Sequence, residues 1–157
     1  MEIDNRRALR AAIGFAELGL YDDALAELDS SGRPSPEAEA LRMEILRRAR
    51  RWEEMRERAR ERVESESAIY EWWIHWADAT RHSLGLIPAR ALLERALAKF
   101  PGNGHILFQL ACYSAQLGEL GKAKEFLEGA IAADERWADI SHVDRDLDPL
   151  WAARSES

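Results

Sequence analysis

Cysteine is almost absent from the sequence. Cys112 is the only one, so no disulfide can form within the chain, and a reducing compartment suits such a protein. No apolar run approaches the roughly 18 residues that a membrane span needs. The first residues, Met1 to Arg7, are charged and polar, unlike the apolar centre of a secretory signal. We therefore expect a soluble, cytoplasmic protein with no membrane partner.

An excess of basic residues is also missing. The chain has 22 lysines and arginines against 29 aspartates and glutamates, which gives a formal net charge of −7. A protein that binds nucleic acid through the phosphate backbone normally carries a basic face. Nucleic acid is therefore not an expected partner.

The usual signatures of catalysis are absent as well. The sequence contains no nucleophile motif, no glycine-rich phosphate loop and no HExxH pair of histidines. We therefore predict that the protein is not an enzyme and has no cofactor. The hydrophobic content of 46% and the length of 157 residues do allow a globular domain with a core of its own.

The sequence repeats itself with a period near 34 residues. In four stretches a break and an apolar anchor are followed by a mostly small residue, and these four positions are separated by 31, 34 and 34 residues: Ala24, Met55, Ala89 and Ala123. Three more columns keep the same register, one of them twelve residues earlier at Ala12, Met43, Ala77 and Ala111. Alanines that face each other let two antiparallel helices approach closely, so each unit is predicted to be a helix hairpin.

This pattern resembles the tetratricopeptide repeat (TPR) family over about residues 5–135. The best matches lie in the last two units: Trp73, Trp76, Ala77, Ala89, Leu93, Ala96 and Pro101, then Leu107, Leu110, Ala111, Gly118, Ala123, Leu127 and Ala130. The first two units depart from the family pattern. Met43 and Met55 replace small residues, Arg62 replaces the usual alanine, and the spacing of 31 predicts a shortened turn in the first unit.

The resemblance implies an all-α fold, a right-handed α-solenoid of antiparallel helix hairpins with a short C-terminal cap. We predict one domain over residues 1–157, with repeats at about 5–35, 36–69, 70–103 and 104–135 and a cap at 136–157. The predicted helices are at about 5–18, 21–31, 36–49, 52–65, 68–82, 87–99, 104–117 and 120–133. Gly19, Pro34, Gly85 and Gly118 are among the residues that should separate them.

The predicted cap rests on three large apolar residues in an otherwise acidic tail, Leu147, Leu150 and Trp151. An open solenoid end exposes part of its core, so a terminal segment is needed to cover it. The alternative interpretation is that this tail is a linear motif recognised by another protein.

The resemblance also implies the function, because in this family the first helix of each hairpin lines a concave groove that binds a peptide. The chain is therefore predicted to be a scaffold or adaptor for a protein or peptide. The predicted groove residues are Arg47, His75, Asp78, Arg81, His82, His105, Phe108 and Gln109. They combine an aromatic anchor, arginines and polar groups, which interface centres favour. Histidines with an ordinary pKa of about 6.5 predict that an acidic peptide binds more strongly below about pH 6.

Two alternative functions remain open. A self-associating module, and hence a homo-oligomer, is one, because Leu9, Ile13 and Phe15 begin the solenoid without an obvious cap. A metal-dependent enzyme is the other, because one helix face carries nitrogen and oxygen donors that a neighbouring helix supplements: His75, Asp78, His82, His105 and Cys112. Their spacing matches no zinc motif, so we predict a polar binding face and no metal.

The segment from Arg42 to Glu66 contains nine arginines and seven glutamates. Such interspersed charges are typical of a solvated helical hairpin with ion pairs along its surface. A cluster of aromatic residues follows it, in which Trp73 and Trp76 are predicted to pack in the core and Trp72 between units or at the surface.

Overall fold

A computed structural model describes residues 2–32 and 35–156 of the chain, and these residues are all-helical. The ten α-helices are α1 (Glu2–Glu17), α2 (Tyr21–Ser30), α3 (Pro36–Arg48), α4 (Trp52–Ser65), α5 (Tyr70–Ser83), α6 (Leu86–Lys99), α7 (Gly104–Gln116), α8 (Leu120–Ala133), α9 (Arg136–Val143) and α10 (Asp148–Ser155). A single 3-10 turn, Arg145–Leu147, joins the last two. The predicted all-α fold of paired helices is therefore confirmed, while Pro34 lies outside the described residues.

Successive helices pack against each other along the chain, so that α1–α2, α3–α4, α5–α6 and α7–α8 form hairpins that stack in order. The alanines of the repeat lie at the contacts between these helices. Ala77, Ala89, Ala111 and Ala123 have no exposed surface. The register read from the alanine columns is therefore confirmed at these positions.

The first hairpin is shorter than the others, but the shortened turn that the spacing of 31 predicted is wrong. The helix α2 has 10 residues, whereas α4, α6 and α8 have 14 each. The turn inside the first hairpin is three residues long, from 18 to 20, like the turns at 49–51 and 117–119. The spacing of 31 thus comes from a shortened second helix and not from a shortened turn.

The second hairpin contains a buried ionic cluster. Glu39 is only 2% exposed, and its carboxylate accepts two hydrogen bonds from Arg58, at 2.9 Å from Nε and 2.7 Å from the terminal nitrogen. The Nε atoms of Arg42 and Arg62 lie 3.6 Å and 4.0 Å from the same carboxylate. Arg42 is itself buried and donates to Asp29 of the preceding hairpin at 2.7 Å. The prediction of a wholly solvated hairpin is therefore wrong for this cluster.

The ionic cluster occupies positions that are apolar one repeat later. Residues 39, 42, 58 and 62 precede Trp73, Trp76, Leu92 and Ala96 by 34 residues each. The bulky Met43 and Met55 are fully buried between the same helices. Large side chains hold two helices apart, and α3 and α4 pack less closely than the two helices of any other hairpin. The other charges of this segment do pair on the surface, as predicted, for instance Arg60 with Glu57.

The C-terminal segment covers the end of the stack. Leu147 and Leu150 are buried in the common core, and Trp151 packs against that core. The indole of Trp151 donates a hydrogen bond to the carbonyl of Ser141 at 2.8 Å, which fixes α10 against α9. The predicted folding back of these three side chains on the last hairpin is confirmed.

Deleting residues 141–157 should therefore expose the apolar surface that Leu147 and Leu150 cover. We expect a lower melting temperature and increased binding of a hydrophobic dye, because a solenoid end without a cap presents its core to water. Thermal denaturation and dye fluorescence of the truncated protein measure this. A truncated protein that is equally stable, monomeric and dye-silent would instead favour the linear-motif interpretation of the tail.

The tryptophans of α5 lie as the pattern indicated. Trp73 is buried, and its ring centre lies 5.6 Å from that of the half-buried Trp76. Trp72 is also buried, and its indole donates to Glu66 at 2.9 Å across the junction between α4 and α5. None of the helices among the described residues combines the length and the apolar character needed to cross a membrane.

Candidate binding groove

The first helices of the hairpins form one face of the stack, which we call the first-helix face (side chains of α1, α3, α5 and α7). Three observations place these helices side by side. One cavity is lined by α1 and α3 together. Asp78 of α5 is close enough to Arg47 of α3 to affect its pKa, and His105 of α7 is close enough to affect the pKa of His75. Residues predicted to line a groove from neighbouring repeats are therefore near one another.

The α3–α5 part of this face carries paired charges. Arg47 donates two hydrogen bonds to Glu44, at 2.9 and 2.8 Å, and Arg48 donates to the same carboxylate at 2.8 Å. The hydrogen bonds that Arg47 donates to Glu44 and, less strongly, the charge of Asp78 hold the pKa of Arg47 above its ordinary value. Arg47 is exposed and Asp78 is half-buried, so both can reach a partner.

His75 and His105 of this face are half-buried. Burial lowers the pKa of His75 and of His105, although Asp78 and Glu71, respectively, oppose this effect. Both imidazoles therefore stay neutral at a pH where an exposed histidine would already be protonated. The prediction of stronger binding of acidic peptides below about pH 6 does not apply to these two residues.

His82 lies next to the turn inside the second hairpin. Its ring stacks on Trp52 with ring centres 3.9 Å apart and planes at 11°. Its Nδ1 atom lies 3.0 Å from the carbonyl oxygen of Asp78 and 3.5 Å from the carboxylate of the same residue. The stacking on Trp52, the first residue of α4, holds His82 at the end of α5.

The α7 part of the face is covered by the protein's own C-terminal segment. Trp137 of α9 stacks on Phe108 at 4.6 Å and on His105 at 5.4 Å between ring centres. Phe108 is only 2% exposed as a result of this packing and of its place in the core. The prediction that Phe108 is an accessible aromatic anchor is therefore wrong.

Arg81 of α5 also contacts the C-terminal segment. Its guanidinium donates to Asp146 at 2.8 Å and lies 5.5 Å from the centre of the Tyr113 ring. Gln109, the remaining predicted residue, is half-buried on α7 next to the covered Phe108. In this arrangement Arg81 holds the tail across the groove.

Replacing Arg81 by alanine should therefore loosen the tail. We expect faster amide hydrogen exchange in residues 144–148, since a half-buried charged hydrogen bond is lost while the apolar contacts of Leu147 remain. The matched control is Arg145→Ala, because Arg145 is exposed in the same turn. If exchange in the turn is the same in both variants, Arg81 does not hold the tail.

A metal site built on histidines was considered as an alternative to the predicted polar face, but a different group of donors comes together. Within the described part of the chain, only one group of three potential metal ligands lies close together: Cys112, Asp144 and Asp146. Their ligand atoms lie within 4.8 Å of one another. Asp146 is already paired with Arg81, and Asp144 accepts a hydrogen bond from the amide of Asp146 at 2.9 Å. Burial raises the pKa of the Cys112 thiol well above its ordinary value. The group is therefore accounted for by the turn that closes the tail.

The open part of the first-helix face was only partly anticipated. Between α1 and α3 lies a cavity of about 190 Å³, lined by Ile13, Ala16, Glu17, Leu41, Glu44, Ile45 and Arg48. Ile13 is 44% exposed, unusually high for a large apolar side chain. The spacing of Leu9 and Ile13 on α1 suggested an uncovered apolar surface, but the sequence could not show that α3 completes a cavity around Ile13.

Stacked antiparallel helix hairpins define the class of protein: a helical-repeat protein. Residues 89–143 match the model of the tetratricopeptide repeat family. The fold resembles two solved TPR proteins over nearly the whole chain. TTC0263, a thermophilic TPR protein from Thermus thermophilus, has a TM-score of 0.72 at 20% identity over 96% of this chain and 82% of its own. YrrB, described as a TPR protein with an unusual peptide-binding site, has a TM-score of 0.63 at 16% identity over 92% of this chain and 71% of its own.

At these identities the two structures show that the fold is shared, and the sequence match is limited to residues 89–143. The family model matched over residues 89–143 and the shared fold confirm the resemblance that the alanine columns predicted. Among curated protein sequences, none matches the chain significantly.

Proposed function

We propose that the protein is a non-catalytic scaffold that binds a protein or peptide partner along the open part of its first-helix face. TPR folds typically serve as scaffolds for protein and peptide binding, which supports this class of function. The observation that carries the proposal is the cavity between α1 and α3, because it combines an exposed apolar side chain with polar groups at its rim.

The partner is expected to lie over α1, α3 and α5, since the tail covers α7. An aliphatic side chain of the partner would enter the cavity beside Ile13 and Leu41. Arg48 is already paired with Glu44, whereas the exposed Glu17 has no ion pair within the described residues. A basic residue next to the aliphatic anchor would therefore be favoured.

Of the groove residues predicted from the sequence, Arg47, His75 and Asp78 lie nearest to the open part and remain part of this proposal. Arg81, His105, Phe108 and Gln109 would meet a partner only after the tail is displaced, and His82 only at the edge of the groove. We also propose that the hairpins form a single domain with the predicted repeat limits. A cytoplasmic location is part of the proposal, because Cys112 is a buried free thiol.

The test is selection of peptides from a random library against the wild-type protein, followed by affinity measurements on two variants. Ile13→Asp places a charge in the cavity and should weaken the selected peptides at least about tenfold. The matched control is Val143→Asp, because Val143 is 80% exposed on α9, outside the open part of the face. Equal binding by wild type and Ile13→Asp would show that the partner site lies elsewhere.

A further inference from the structure

The turns inside the first three hairpins present exposed apolar side chains along one edge of the molecule. We call this the turn edge (residues 18–20, 50–52 and 84–87). Leu18 is 75% exposed, Leu20 44%, Leu84 62% and Ile87 66%. These are four of the eight large apolar residues that are exposed among the described residues. Their concentration in two turns is unusual, because such residues are normally scattered over a surface.

Two contacts join the three turns into one continuous surface. Arg51 donates to Asp22 at 2.7 Å, which connects the second turn to the first hairpin. Trp52 stacks on His82 at 3.9 Å, which connects the second turn to the end of α5. Beside Trp52 lies a cavity of about 490 Å³, lined also by Arg50, Arg51, Glu53, Glu54 and Ser83. The edge thus has protruding aliphatic groups in its first turn and a depression beside its second.

Arg50 stands out in the second turn. Its φ is 58°, in the left-handed region. The corresponding residues of the first and fourth hairpins are glycines, Gly19 and Gly118, with φ of 74° and 78°. A side chain other than glycine is disfavoured there. The guanidinium is exposed and has no ion pair or hydrogen bond within the described residues, whereas Arg51 pairs with Asp22 and Glu54. The left-handed backbone of Arg50 ends α3, because the amides of Arg50 and Arg51 donate to the carbonyls of Arg47 and Leu46. This turn needs nothing from the guanidinium, which is left able to bind a partner.

The first turn offers the complement of Arg50. Asp23 is exposed at the start of α2, close to Leu20 in sequence, and has no ion pair within the part of the chain that the structure describes. The turn edge thus has two halves. One half carries the exposed Leu18 and the carboxylate of Asp23, and the other carries the depression beside Trp52 and the guanidinium of Arg50. The two halves lie side by side on one molecule, so they cannot fill each other. A two-fold axis between two copies would bring each half against its complement, as isologous interfaces do.

We propose that the turn edge is a two-fold self-association surface of this protein. In the dimer, Leu18 of one copy enters the depression beside Trp52 of the other, and Asp23 pairs with Arg50, so that each contact occurs twice. The pairing closes on itself and therefore stops at a dimer. The surface is separate from the cavity between α1 and α3, so this proposal can fail while the proposed peptide binding holds.

Charge exchange between the two halves gives a direct test, measured by sedimentation of the folded proteins over a wide concentration range. The wild type should show a concentration-dependent dimer. Arg50→Glu alone and Asp23→Arg alone should each raise the dimer dissociation constant at least about tenfold, because like charges then face each other twice. An equimolar mixture of the two variants should restore the dimer, since one copy then carries only acidic and the other only basic groups at the two positions.

Two further variants separate the interface from general effects on folding. Arg50→Gly should raise the melting temperature, because glycine tolerates the left-handed backbone, and should still weaken the dimer. Leu18→Asp should weaken the dimer, whereas Val143→Asp, equally exposed on α9, should not. A wild type that is monomeric at every concentration, or a mixture that associates no better than its components, would overturn the proposal.

Discussion

Replacing Ala123 by arginine is expected to destabilise the protein by about 4 kcal/mol or more. Ala123 has no exposed surface and lies at the close contact between α7 and α8. Overpacking such a contact costs about 1–3 kcal/mol, and a charge buried without a partner adds several kcal/mol. For a chain of this length the melting temperature should fall by about 10 °C or more.

Thermal and urea unfolding followed by circular dichroism measure this effect. The control is Glu125→Arg, which introduces the same side chain at an exposed position of the same helix and should change the stability by no more than about 0.5 kcal/mol. If Ala123→Arg melts like the wild type, position 123 does not lie at a helix contact and the repeat register is wrong.

Replacing Glu39 by alanine should have the second largest effect. The change leaves three arginines facing one another without the carboxylate that joins them. Breaking a buried ion pair typically costs about 3–5 kcal/mol. Arg58 and Arg62 are partly exposed and water will screen part of their repulsion, so we expect about 2–4 kcal/mol. The exposed pair Arg60–Glu57 serves as the control, and Glu57→Ala should cost less than about 1 kcal/mol.

The same cluster predicts how stability depends on pH. Burial raises the pKa of Glu39, but the hydrogen bond from Arg58 and the charges of Arg58, Arg42 and Arg62 together hold it below its ordinary value of 4.5. The unfolded chain therefore takes up a proton at this group before the folded protein does. The stabilisation is complete above about pH 4.5 and is lost as the pH falls through the lower, folded pKa. In Glu39→Gln this part of the acid dependence should disappear.

The burial of His75 and His105 also lowers the stability of the folded protein as the pH falls, but at a higher pH than Glu39 does. Their pKa values are lowered in the folded protein, so the unfolded chain binds protons first as the pH falls below about 6.5. Stability should therefore decline somewhat below this pH, before the cluster around Glu39 contributes. The decline should be absent from a variant in which both histidines are replaced by glutamine.

The alanine columns could be found in the sequence because the size of a side chain at a helix contact is a local requirement. Ala89 and Ala123 must be small wherever two helices touch, so the register survives even where other columns change. The apolar residues of the tail could be assigned to a cap because Leu147 and Leu150 are large apolar side chains in an acidic segment, and the end of a solenoid needs such a cover.

The buried cluster around Glu39 could not be predicted in this way. Arginines and glutamates on a helix give the same pattern whether they face water or converge from two helices on one carboxylate. Only the packing of α3 against α4 shows that Arg58 points at Glu39 while Arg60 points at solvent. The departures at Met43 and Met55 marked the second hairpin as different but not as ionic.

The path of the tail across α7 was equally hidden. The bond between Arg81 and Asp146 joins residues 65 positions apart, and no local pattern specifies such a contact. The sequence placed Phe108 correctly on the first helix of its hairpin, where periodicity is informative. Whether that position is open depends on Trp137, which belongs to a segment outside the repeat.

We propose that a partner binds over α1, α3 and α5 while the tail keeps α7 covered. The most direct measurement is a titration of the isotope-labelled protein with a selected peptide, followed by amide and indole NMR signals. We expect shifts concentrated at Ile13, Leu41 and Glu44, with the indole signals of Trp137 and Trp151 unchanged. Shifts confined to the second helices of the hairpins, or a displaced Trp137 indole with no change near Ile13, would contradict the account.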